Sequence, residues 1–81
     1  MIDIKVLGSG CSKCKVTESQ VRRAIESLNR SDITLTKVDN VEEILKYHVM
    51  NTPAVIVNEV VKSTGRVPSV EQIIQFIKEA N

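Results

Sequence analysis

Two cysteines, Cys11 and Cys14, stand three residues apart in the stretch GSGCSKC and are the only thiols of the 81-residue chain. Residues of that type at that spacing suit three roles: a dithiol–disulfide couple, two ligands of a thiophilic metal, or two small core side chains. The redox reading rests on position. A thiol at a helix start is stabilised as thiolate by the unpaired N–H groups and the helix dipole, and Lys13 and Lys15 add positive charge. Cys11 is then the nucleophile, with a pKa predicted below that of a free thiol. Cys14, one helical turn on, is the resolving residue: it attacks a mixed disulfide on Cys11, releases the reduced partner and leaves the 11–14 disulfide. The metal reading lacks ligands. Zinc takes four, whereas the chain offers two thiols, His48 and carboxylates, without a second C-x-x-C or an H-x₃-H. Two thiols suffice for Cu(I), or for zinc shared between two chains, so thiophilic metal binding or transfer stands as the alternative.

The elements that position these thiols follow from periodicity. Residues 2–7 alternate as a strand, with Ile2, Ile4 and Val6 on one face, and Gly8-Ser9-Gly10 permits a sharp turn. Over residues 12–29 the positions Val21, Ala24, Ile25 and Leu28 recur at helical spacing, and seven residues before Val21 lies Cys14, which therefore faces the core. Residues 33–38, ITLTKV, read as a second strand parallel to the first. A short helix over 41–47 carries Val41, Ile44, Leu45 and His48 on one face, with Asn40 and Glu43 at the spacing of a capping box. The apolar run AVIV at 54–57 follows Pro53, which by residue type reads as an ordinary strand-initiating proline. A strand at 60–63 returns after Asn58-Glu59, which lacks the glycine of a tight two-residue turn and predicts a looser hairpin. Ser69 and Gln72 cap a last helix whose stripe is Val70, Ile73, Ile74 and Ile77.

The resulting order, β-α-β-α-β-β-α, predicts one α/β domain over residues 1–81, a four-stranded mixed sheet with helices on both faces. It differs from the β-α-β-β-α-β order of ferredoxin-like metal-transfer domains, since this chain ends on a helix. A chain of this mass buries roughly 60% of its unfolded surface. One Phe, one Tyr and no Trp leave that core to Ile, Val and Leu. Eleven basic and ten acidic residues are interspersed for a net charge of +1, so neither nucleic acid nor an anionic membrane is an expected partner. The N-terminal residues form neither a signal peptide nor a membrane span, and the expected location is cytoplasmic, where a purely structural disulfide is rare.

GSGCSKC after a first strand, NTPAVIV about forty residues later, and the element order together resemble the thioredoxin/glutaredoxin superfamily. Nearly the whole chain, including GRVPSVEQI at 65–73, is similar to its small thioredoxin-like, glutaredoxin-like redox-active disulfide proteins. The resemblance implies that Pro53 is cis beside the cysteine pair and that Thr52 offers its backbone to an extended substrate segment as a short strand addition. It also implies that Ser12 and Lys13 flank the substrate, that Gly65 and Arg66 lie on the same rim, and that no metal or other cofactor is needed. The implied partners are a disulfide-containing protein and an electron donor, a thioredoxin-reductase-like protein or a thiol. Ser12-Lys13 replaces the Gly-Pro of thioredoxins and the Pro-Tyr of glutaredoxins. Gly10 stands where thioredoxins carry Trp, and the tyrosine with which glutaredoxins hold glutathione is missing.

Overall fold

The computed structural model describes residues 1–8 and 12–80. Its elements are β1 (Ile2–Leu7), α1 (Ser12–Leu28), β2 (Ile33–Val38), α2 (Val41–Lys46), β3 (Ala54–Val57), β4 (Val60–Thr64) and α3 (Val70–Glu79). The order is the predicted one. The strands form one sheet in the spatial order β2-β1-β3-β4, with β1 parallel to β2 and antiparallel to β3, and β3 antiparallel to β4.

Strand alternation divides the core. Ile2, Ile4 and Val6 of β1 and Val55 and Val57 of β3 face α1 and α3, where they meet Val21, Ala24, Ile73 and Ile77. Leu7, Ala54 and Ile56 point to the other face and meet Ile44 of α2 and Val49. β3 is buried on both sides, as its unbroken apolar run requires. The capping box of α3 is complete: Gln72 N–H donates to Ser69 Oγ at 3.1 Å and Ser69 N–H to Gln72 Oε1 at 2.9 Å. At α2 the Asn40 side chain accepts from the Glu42 and Glu43 N–H groups, while the Glu43 carboxylate turns to Lys46 at 3.2 Å.

Two expectations are corrected. The apolar face of α2 narrows to Ile44: Val41 and Leu45 are more than half exposed, and His48 is exposed as well. The chain leaves this six-residue helix through His48 in the left-handed region (φ 57), which brings Val49 rather than His48 under the sheet. The 57–60 hairpin is tight, not loose. Asn58 and Glu59 both have positive φ (48 and 68) and Val57 pairs with Val60, the mirror-image two-residue turn that matches strand twist. Contacts from β1 offset the backbone cost. Asn58 exchanges bonds with Asp3, its N–H to the Asp3 carbonyl at 2.8 Å and the Asp3 N–H to its Oδ1 at 2.9 Å.

The Glu59 carboxylate accepts from Lys5 Nζ at 2.7 Å. Lys5 also donates to the Tyr47 hydroxyl at 2.7 Å. The ammonium lies 5.3 Å from the Tyr47 ring centroid, so it sits beyond the hydroxyl end of the ring rather than over its face. This cluster ties β1, the end of α2 and the hairpin together. It raises the Lys5 pKa, first through the bond to Glu59 and then that to Tyr47, and lowers the Glu59 pKa, first through Lys5 and then Tyr47.

Ile77→Ala, which empties a fully buried site between α3 and the sheet, is expected to cost about 2–5 kcal/mol in urea denaturation. Because the folded protein holds Glu59 below its unfolded value, the Glu59 contribution to stability is present above the ordinary glutamate range. It is lost as pH falls through the lowered folded value. Thermal unfolding from neutral to acid pH is expected to show a shallower decline in Glu59→Gln than in the native chain. Superimposable curves would remove the ion pair from the account.

Candidate active site

Cys14 is buried, at 1% exposure, in the first turns of α1, on the core side that its spacing from Val21 predicts. Its sulfur is in a disulfide. Cys11, read as the nucleophile, and the turn residues Ser9 and Gly10 lie outside the described residues. Ser12 and Lys13 are exposed at the start of α1. The buried stripe of this helix is Cys14, Thr17, Val21 and Ala24, spaced by three, four and three residues. Sequence reasoning overlooked Thr17, although it falls between Cys14 and Val21 in phase. Its hydroxyl donates to the Lys13 carbonyl at 2.8 Å, so the polar group is satisfied without leaving the apolar stripe.

Gly8 is the other residue whose role the sequence understated. It is buried, and its N–H donates to the Val38 carbonyl at 2.9 Å, carrying the β1–β2 ladder one residue past the strand. A Cβ on Gly8 would overlap the Cys14 sulfur, approach the Cys14 Cβ to 3.0 Å and lie 3.8 Å from the Thr52 Cβ. The end of β1 is therefore a floor on which the Cys14 sulfur rests, with Thr52 at its side. The available signal was a glycine closing a strand just before the cysteine pair, legible as a turn but not as a contact.

The Thr52-Pro53 peptide is cis, as the resemblance implies. Pro53 is buried and Thr52 exposed. The Pro53 carbonyl accepts from Gly65 N–H at 2.9 Å, and Gly65, at φ 70, brings its Cα against Asn51, whose Cβ would stand 3.1 Å from an added methyl. Cys14 and Thr52 thus meet at the end of β1, and Gly65 adjoins Pro53 on the β4 side of the same strand entry. Arg66, one residue on, is exposed and lines a cleft between β4 and α3. Among the described residues no three His, Cys, Asp or Glu side chains gather where they could hold a metal ion, and His48 stands exposed in the turn after α2. No described helix is long and apolar enough to cross a membrane.

Comparison with known proteins accords with this geometry. Residues 2–78 match the family model described as a thioredoxin domain. The chain is 38% identical over 78 residues to a thioredoxin of Methanocaldococcus jannaschii, a match covering 96% of this chain and 88% of that protein. It is 32% identical over 77 residues to a thioredoxin of Methanothermobacter thermautotrophicus, covering 95% of this chain and 99% of that one.

Gly8→Ala tests the floor. The atom it would strike belongs to a side chain tethered by a disulfide, so backbone must move, and the oxidised protein is expected to lose about 1–3 kcal/mol. An unchanged urea midpoint would mean that the sulfur is not packed on β1.

Proposed function

The chain belongs to the thioredoxin-domain family, and from that premise we propose that it is a thiol–disulfide oxidoreductase whose Cys11/Cys14 pair reduces or exchanges disulfides of a partner protein. At the level of the family its function is thioredoxin-like redox chemistry. The observation that carries the finer reading is the setting of Cys14: a disulfide sulfur, buried on Gly8, beside the exposed Thr52 and the cis Pro53.

Burial divides the labour. A cysteine at 1% exposure is closed to a protein-sized disulfide, so the first attack falls to Cys11 as thiolate. That attack breaks the partner's S–S bond, joins one partner sulfur to Cys11 and releases the other as a thiolate that takes up a proton. Cys14 then loses its proton and attacks the Cys11 sulfur from inside the protein. The mixed disulfide breaks, the second partner sulfur leaves as a thiol, and the 11–14 disulfide holds the oxidising equivalent. Two electrons from a thioredoxin-reductase-like protein or a small thiol restore the dithiol. Thr52 offers its backbone to the extended substrate segment around the scissile disulfide, and Ser12, Lys13 and the Gly65–Arg66 rim flank it. Such cycling belongs to a reducing compartment, the cytoplasm.

The protein is expected to accelerate insulin reduction by dithiothreitol. Cys11→Ser should abolish this, and Cys14→Ser should accumulate a mixed disulfide with insulin, visible by mass spectrometry. A rate equal to the dithiothreitol blank, or stoichiometric metal with no reversible two-electron transition of the thiols, would sink the reading.

A further inference from the structure

The register of β3 on β4 passes from Ile56↔Val61 to Val55↔Ser63, which leaves Lys62 as an extra residue on β4. A bulge of this kind bends its strand and re-aims its side chains. Here it accompanies an open cleft of about 420 Å³ between β4 and α3, within the size range of small-molecule sites. Ser63 pairs with Val55, which faces the α1 and α3 layer, so Ser63 points toward the helices. Its Oγ is buried and has no hydrogen-bond partner among the described residues. A buried hydroxyl without a partner is an uncommon condition that calls for a missing group.

The rest of the lining is rich in donors. Lys62 and Arg66 bring positive charge, Thr64 a hydroxyl, and Gln72 an amide whose oxygen is already taken by the Ser69 N–H at 2.9 Å, leaving its NH₂ to donate. Among the described residues no carboxylate lines the cleft, although Glu79 reaches Lys62 at 3.5 Å in a part-exposed pair of small worth. Phe76 supplies an apolar wall.

We propose that this cleft binds a small organic anion, a carboxylate or phosphate monoester on a compact apolar body. The head lies between Lys62 and Arg66, where the buried Ser63 hydroxyl turns about its Cα–Cβ bond to donate to it; the body rests on Phe76. Arg66 borders both this cleft and the proposed substrate rim; the other lining residues take no part in the cysteine chemistry, and binding here does not require it. Unlike the Thr52 platform, the cleft recognises its ligand through charge-assisted bonds to side chains.

Titration of the oxidised protein with phenyl phosphate and, in a second arm, benzoate tests the site by amide and aromatic NMR shifts at fixed pH and ionic strength. The expected result is saturable shifts at Ser63, Thr64, Arg66 and the Phe76 ring, with the tighter arm identifying the head group. Neutral benzyl alcohol should not saturate. Arg66→Gln is expected to weaken binding about tenfold, the loss of one charge-assisted contact. Ser63→Ala separates this role from a structural one: it should weaken binding severalfold without lowering the unfolding midpoint, because the hydroxyl has no partner to lose. The proposal is overturned if shifts fail to saturate, if they spread over the exposed lysines of α1, or if Arg66→Gln binds as tightly as the native chain.

Discussion

The seat of the Cys14 sulfur on the bare backbone of Gly8 constrains everything around it. A sulfur can rest there only if the strand beneath ends in a residue without Cβ and if the helix above begins within a few residues, in phase with the core. β1 meets the first condition and the Cys14–Thr17–Val21–Ala24 stripe meets the second. The antiparallel partner completes the arrangement. Ala54 of β3 pairs with Leu7, so the residues that lead into β3, Thr52 and Pro53, arrive beside Gly8 without a loop of their own. The meeting of Cys14 with the Thr52-Pro53 segment is thus a consequence of sheet register, not of two sites brought together by chance.

Most of this frame was legible in the sequence because it is periodic. The strand alternations, the phase of α1 and the cap of α3 each depend on residues within one element. What escaped is settled across long separations. The positive φ of Glu59 is supported by Lys5, fifty-four residues earlier, which no local window relates to it. The three apolar residues predicted for one face of α2 are alike by type, and only the docking angle of the helix makes Ile44 buried and Val41 and Leu45 exposed. Gly8 was visible as punctuation, but the neighbour that forbids a side chain there comes from the next element. Thr52 and Pro53 gained their meaning from resemblance, since nothing in their own types distinguishes a cis peptide from a trans one.

The two faces of the sheet are held differently. Among the described residues the core against α1 and α3 is a continuous set of nine buried side chains, whereas the α2 face has five, with Lys5, Tyr47 and Glu59 beside them. The larger cluster anchors the helix that carries Cys14. The smaller one holds the segment leading to Thr52, so local opening costs less on the side where a substrate chain is proposed to lie.

The bulge at Lys62 also bears on how copies of the protein treat one another. β4 is an outer strand, and the free N–H and C=O groups of an outer strand are a template on which any extended chain can grow a further strand. An unpaired extra residue breaks the regular spacing of that template. Backbone recognition is thereby discouraged along β4. Backbone pairing is left to β2, the other outer strand, whose register on β1 is unbroken, and to the segment at Thr52 proposed to hold a substrate chain.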